Sequence, residues 1–158
     1  MNEIQRLTVG DEELLRKMSR VFASAFDDPE NFTSNPPTDS YLSALLSRDH
    51  VYALAAADGE DVVGGVIAYE LVKFEQERSE IYIYDLAVAA AYRRQGIATK
   101  LIGSLCEIAA ERGILVAYVQ ADYGDDPAVA LYTKLGARKD VMHFDISILL
   151  EGLRPRSS

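Results

Sequence analysis

The sequence predicts an α/β domain in which a mixed sheet is flanked by helices. Three observations predict it. The chain has 158 residues, 49% of them hydrophobic, which suits one domain spanning 1–158 with a sizeable core and a frayed end at 154–158. Apolar residues recur at helical spacing in some segments and alternate or run together in others. The resulting order, β-α-α-β-β-β-α-β-α-β, interleaves strands and helices as layered α/β domains do. No repeat, low-complexity tract or long linker interrupts it.

Each element has its own signal. Residues 4–7 form a short first strand. Thr8 and Asp11 precede Leu14, Leu15, Met18, Val21 and Phe22, so 11–26 is an amphipathic helix with a polar start. Residues 27–37 hold Pro29, Pro36 and Pro37 and are expected as a loop. Thr38 or Asp39 can cap a second helix through Leu46. Residues 51–57 and 62–72 are strands joined across Asp58-Gly59-Glu60-Asp61, a hairpin with glycine in its turn. The polar stretch KFEQERS (73–79) connects to a strand at 81–88, rich in β-branched and aromatic residues. Residues 96–111 place Ile97, Leu101, Leu105 and Ile108 on one helix face, and Gly113 marks the stop. Residues 114–120 are expected as a buried strand. Residues 127–135 form a short helix with Pro127 first and Gly136 last. Residues 141–148 alternate loosely as a last strand.

The net charge is -9, from 25 acidic and 16 basic side chains. A nucleic-acid binder usually carries the opposite sign, so no nucleic-acid partner is expected. Acidity of this size keeps a domain soluble and also suits a cationic partner, and charge alone does not choose between them. The first residues, MNEIQRLTVGDEE, lack the apolar core of a secretory signal. No apolar run approaches the roughly 18–20 residues that span a bilayer. A cytoplasmic protein without a membrane partner is expected. The single cysteine, Cys106, excludes an intrachain disulfide and is expected on the buried helix face, as core and not as a nucleophile. His50 and His143 are too few and too isolated for a metal site.

The chemistry concentrates between the strand at 81–88 and the helix at 96–111. Arg93-Arg94-Gln95-Gly96-Ile97-Ala98 opens that helix. A helix's first turn exposes unpaired N–H groups, and the macrodipole adds about half a positive charge there. Such a site suits phosphate. Gly96 lets backbone approach a pyrophosphate, Ala98 keeps the next position small, and Arg93, Arg94 and Lys100 add positive charge to an acidic chain. The glycines do not follow the dinucleotide spacing GxGxxG, and no GxxxxGK[ST] phosphate loop occurs.

These residues resemble the acyl-CoA pyrophosphate loop, [R/Q]-x-x-G-x-[G/A], of the GNAT superfamily of N-acetyltransferases. Downstream, Ala128-Val129-Ala130-Leu131-Tyr132-Thr133-Lys134-Leu135-Gly136 resembles that family's A-x-x-LY-x-K-x-G segment. The resemblance implies the GNAT fold: a central mixed, mostly antiparallel twisted sheet of about six to seven strands, flanked by about four helices. IYIYDLAV (81–88), RRQGIAT (93–99) and YVQADYGDDPAVALYTKLG (118–136), with KFEQERSE and VMHFDI, are similar to the type I aminoglycoside 3-N-acetyltransferases over about 41–146. That similarity is weak in the first 40 residues. It implies acetyl transfer from acetyl-CoA to the 3-amino group of an aminoglycoside such as gentamicin or sisomicin, hence resistance to such antibiotics, and a homodimer.

By the resemblance, the backbone of Leu86, Ala87 and Val88 pairs with the pantetheine arm, and Arg93, Arg94, Gln95, Gly96, Ile97, Ala98 and Thr99 cradle the pyrophosphate. Asp125 stands where many members carry Asn, and Gly136-Ala137 replaces their usual Gly-Phe. The amine nucleophile must lose a proton, directly or through water. Asp85, an acid inside an apolar strand, is the expected base, with Glu80 as its alternative. Tyr132 is expected to donate a proton or hydrogen bond to the departing CoA thiolate. Tyr84, Asp122, Asp125, Asp126 and Asp145 are expected to bind the cationic amine substrate, with Glu70, Glu75 and Glu77 as further acids near the cleft. Tyr82 and Tyr118 are expected as wall or core residues. A polyamine or protein amine would suit the same acids, and a non-catalytic acyl-CoA-binding module would need neither Asp85 nor Tyr132.

Overall fold

Strand β2 (Val51–Asp58) sends Tyr52, Leu54 and Ala56 to one face and Ala53 and Ala55 to the other, and both sets are buried. A strand apolar on both faces belongs inside a sheet covered from both sides. The computed structural model describes residues 2–148. The chain divides into two compact units, Met1–Asp122 and Tyr123–Ser158.

In the first unit, β1 (Glu3–Arg6), β2, β3 (Asp61–Val72), β4 (Ser79–Val88) and β5 (Ala117–Val119) lie side by side in chain order. The first four pair antiparallel, and β4 and β5 pair parallel. One face is covered by α1 (Glu12–Ala25) and α3 (Asp39–Leu46), through Leu15, Met18, Phe22 and Leu42. The other is covered by α4 (Ile97–Glu111), through Ile97, Leu101, Leu105 and Ala109. Thr38 caps α3, its hydroxyl accepting from Tyr41 N at 3.2 Å. The loop expected at 27–37 contains one extra helical turn, α2 (Pro29–Phe32), which Asp28 caps through Asn31 N at 3.2 Å. Proline is tolerated in a first turn, so Pro29 starts this helix instead of preventing it.

One acid is built into the α4 side. The Glu70 side chain is only 8% exposed. It accepts from Tyr52 Oη at 2.7 Å and from Arg112 Nε at 3.0 Å. Burial pushes its pKa up, but the hydrogen bonds from Tyr52, Arg112 and Ser79 outweigh this and hold it below the ordinary value. Burial and the hydrogen bond to Glu70 push Tyr52 up to about 12. Glu70 is thus committed to structure.

Three expectations change in this unit. The strand expected at 114–120 shortens to β5, and Leu115 and Val116 are exposed beside a buried Ile114. As the edge strand of this sheet, β5 has one neighbour to pair with. Cys106 is exposed. The buried stripe of α4 runs through Leu101, Leu105 and Ala109, and the residue after Leu105 turns about 100° away from it. The sheet has five strands among the described residues, fewer than expected.

In the second unit, α5 (Asp126–Leu135) begins beside Pro127, with Asp125 Oδ1 accepting from Ala128 N at 3.4 Å, and stops at Gly136. The strand expected at 141–148 does not form, and Val141, Met142, Phe144, Ile146 and Ile148 are exposed. A strand needs a neighbour for its backbone groups, and among the described residues this unit has no other strand. The frayed end expected at 154–158 lies outside the described residues. Among those residues, no helix is long and apolar enough to cross a membrane.

Candidate active site

Strand β4 breaks its own alternation. Ile81 and Ile83 are buried against α4, and so are Leu86 and Val88 in part. Odd positions face that core before residue 84, and even positions face it after residue 85. One extra residue must lie between, and the register shows it: Ala68 pairs with Ile83 and Ile67 with Asp85, so Tyr84 has no partner. A bulge of this kind re-aims side chains. Here it turns Tyr84 and Asp85 together towards the α1 side. Asp85 lies opposite Ile67, which packs with the α1 cluster. The Tyr84 ring lies 5.8 Å from Tyr69 and 5.5 Å from Tyr82.

Asp85 is half-buried and pairs with no cation among the described residues, and burial raises its pKa above the ordinary carboxylate value. A carboxylate shifted upward by burial is a stronger base than a solvated one. Glu80 lies on the same side of β4 but is spoken for. Lys73 Nζ donates to it at 3.2 Å, and Arg78 Nη2 lies 3.7 Å away. Lys73 also pairs with Glu75 at 2.6 Å. Two cations thus engage the Glu80 carboxylate.

Beyond Ile83, β4 has lost its partner on the β5 side. The pairing covers only Ile81–Ala117, Tyr82–Tyr118 and Ile83–Val119. Among the described residues, the backbone of Leu86, Ala87 and Val88 therefore runs along an open edge, with Val66, Gly65 and Gly64 paired on its other side. An open edge accepts an extended ligand as an added strand. The 3-10 turn Ala90–Tyr92 then leads to α4. Arg94 (φ 62) and Gly96 (φ 77) both adopt the left-handed conformation, and no side chain caps α4. Arg93 Nε donates to Val88 O at 3.2 Å, which folds the loop back onto the strand end. Arg94, Gln95, Gly96 and Thr99 are exposed, while Ile97 anchors the helix in the core. Uncapped N–H groups, left-handed turns and nearby arginines could hold an anion next to the open edge.

The remaining expected residues fall into two groups. Asp122, at the end of the first unit, is exposed after β5. In the second unit, Asp125 caps α5, Asp126 sits in its first turn, and Asp145 pairs with His143 at 2.9 Å. Burial and then Asp125 raise the Tyr132 pKa. Tyr82 and Tyr118, expected as wall or core residues, pack on each other at the sheet surface. Tyr82 stacks on Tyr118 with ring centroids 4.7 Å apart, and its hydroxyl donates to Gln120 Oε1 at 2.8 Å. The signal of the bulge was present in the spacing of Ile81, Ile83, Leu86 and Val88, which steps by two, three and two.

The chain is similar to several known proteins. Residues 15–137 match the model of the acetyltransferase (GNAT) family. An aminoglycoside acetyltransferase from an uncultured soil metagenomic sample has a solved structure 50% identical to this chain, with a TM-score of 0.92 over 94% of this chain and 99% of that one. Another from such a sample, in complex with sisomicin, is 32% identical, with a TM-score of 0.85 over 93% and 96%. N-acetyltransferase 8B of Rattus norvegicus is 32% identical over 107 residues, which span 68% of this chain and 46% of that protein.

Proposed function

The chain belongs to the acetyltransferase (GNAT) family, and from that premise we propose that it transfers the acetyl group of acetyl-CoA to the 3-amino group of an aminoglycoside of the gentamicin or sisomicin type. The observation that carries this is the bulge in β4, which sets Asp85 on one side of an open strand edge that continues into an anion cradle. The acceptor class is supported by the similar proteins of that description, one of them holding sisomicin.

The pantetheine arm lies along Leu86, Ala87 and Val88, and the pyrophosphate on the loop from Arg93 to Thr99. The acceptor amine gives up a proton to Asp85, directly or through water. Its nitrogen lone pair attacks the thioester carbonyl, the C–N bond forms, the C–S bond breaks, the thiolate leaves with the electron pair, and the second nitrogen proton passes to that thiolate or to water to leave the neutral amide. Tyr132 hydrogen-bonds that thiolate. Its raised pKa favours a shared proton over a transferred one, since an ordinary tyrosine is already a weaker acid than a thiol. Asp122, Asp125, Asp126 and Asp145 attract the substrate's other ammonium groups. The reaction runs in the cytoplasm, where acetyl-CoA is made, and confers resistance.

The test is CoA release from acetyl-CoA with gentamicin, spermidine and a lysine peptide, followed by NMR of the product. Release with gentamicin and acetylation at the 3-amino group are expected. Preference for spermidine or the peptide moves the acceptor to a polyamine or protein amine, and binding without release for any amine leaves a non-catalytic module. The cradle has its own test. Gly96→Val forces a β-branched residue into a left-handed conformation, so acetyl-CoA should bind about tenfold or more weakly by calorimetry. Unchanged affinity would remove Gly96 from the pyrophosphate site. A homodimer belongs to the same proposal, because the exposed apolar side chains of 141–148 need a cover. Light scattering should give twice the chain mass, and a monomer would overturn it.

A further inference from the structure

The α1 side of the sheet carries four tyrosines in one row. Tyr69 on β3, Tyr82 on β4 and Tyr118 on β5 are in cross-strand register, Tyr69 with Tyr82 and Tyr82 with Tyr118. Tyr84 joins them because the bulge turns it to their side, within ring-contact distance of Tyr69 and Tyr82. The inner end is fixed: Tyr69 packs against the α1 core cluster. The middle is fixed too, since Tyr82 is stacked on Tyr118 and bonded to Gln120. The outer members are open, with Tyr84 61% and Tyr118 37% exposed. Solvated tyrosines held in stacked and edge-to-face contacts give up rotamer freedom that a disordered surface would keep. Asp85 stands beside the row and adds to the raised pKa values of Tyr69, after burial, and of Tyr82, after burial, Tyr118 and Tyr84.

We propose that Tyr84, Tyr82 and Tyr118 form a stacking platform for one ring of the acceptor, and that the bulge delivers an amine of that ring to Asp85. This rests on the acceptor proposed above. The chemistry of the row selects its occupant. A tyrosine face attracts a cation through the ring quadrupole, and it offers apolar surface to the C–H face of a sugar or cyclitol. The neighbouring carboxylate adds the same electrostatic sign. An amine-bearing, polyhydroxylated ring satisfies all three features, whereas a flexible polyamine has no ring face to lay on the platform. In an unbulged strand, consecutive residues point to opposite faces. Ring contact and base could then not come from residues 84 and 85 together.

Two exposed positions make the test, and the Phe variants keep the ring contacts within the row. Gentamicin is the probe, and its affinity is read by calorimetry beside its turnover. Tyr84→Leu and Tyr118→Leu should each weaken gentamicin binding about tenfold, in the upper range for a desolvated cation on a ring. Tyr84→Phe and Tyr118→Phe should stay within about twofold, because the ring face remains. Acetyl-CoA affinity should be unchanged in all four. Leu variants that bind gentamicin as wild type does would overturn the platform and leave the acceptor assignment standing. Equal losses in the Leu and Phe variants would assign the contact to the hydroxyls, which also overturns it. If the wild-type protein neither binds nor turns over gentamicin, the acceptor assignment fails first and the platform falls with it.

Discussion

Asp85→Asn should lower kcat by about 10²–10⁴-fold, the span over which a positioned base acts, while acetyl-CoA affinity stays unchanged. The variant nearly preserves shape, so the loss isolates the proton. Its effect on stability should have the opposite sign to that of a structural acid. The folded-state pKa of Asp85 is raised by burial. The folded protein therefore binds a proton more tightly than the unfolded chain, and stability is lost as pH rises from the ordinary carboxylate value through the raised one. Above that window the ionised side chain is a burden on the fold, and Asn removes it. Melting temperature at neutral pH should be equal or higher in the variant, together with the collapse in turnover. A residue kept for structure would lose stability on the same change. The acid limb of kcat/KM should also lie above the range of a solvated aspartate, because only ionised Asp85 accepts a proton. Wild-type turnover in Asp85→Asn would shift the role to Glu80, which must then shed Lys73 and Arg78.

Much of this site is legible in the residues, for reasons that differ by element. The helix at α4 is fixed by its buried stripe, and its start by Gly96, because few residues tolerate that backbone. The hairpin of β2 and β3 follows from Gly59 between two apolar runs. Asp85 stands out as an acid inside an apolar strand. The rest depends on partners that a local pattern does not contain. The strand expected at 141–148 has the alternation but lacks a neighbour among the described residues of its unit, and alternation alone makes no backbone hydrogen bonds. Cys106 is misplaced by one step around a helix, the distance between the centre of a stripe and its margin. The tyrosine row needs the register of three strands. Its only local trace is the irregular step between Ile83 and Leu86, which looks like noise until β3 is set beside it. Glu70 resembles an acid for the substrate until Arg112, far along the chain, is seen to hold it.

Gly65→Ala should destabilise the protein by about 1–3 kcal/mol, the usual cost of one carbon too many in a filled core. A Cβ at this position would overlap Sδ and Cγ of Met18 and lie 3.2 Å from the Leu54 carbonyl oxygen. Methionine is flexible, but Met18 is completely buried between α1 and the sheet, so α1 must lift or Met18 must change rotamer. At about 2–4 °C per kcal/mol for a chain of this size, the melting temperature should fall by several degrees. The same chemical change in open space should act in the other direction. Gly103, on an exposed position of α4, has nothing within 4 Å of its added Cβ and no positive φ. Gly103→Ala should therefore gain up to about 1 kcal/mol from helix propensity. Opposite signs for the two alanines would show that close approach, and not glycine's flexibility, sets the identity of residue 65. Combining Gly65→Ala with Met18→Ala should cost less than the sum of the two, since each vacates or fills the same space. The consequence reaches the site. Gly65 pairs with Ala87, two residues beyond Asp85 on the strand whose open edge is proposed to hold the cofactor. A lifted α1 should then raise KM for the acceptor before it unfolds the chain, and additive losses with unchanged KM would separate the core contact from catalysis.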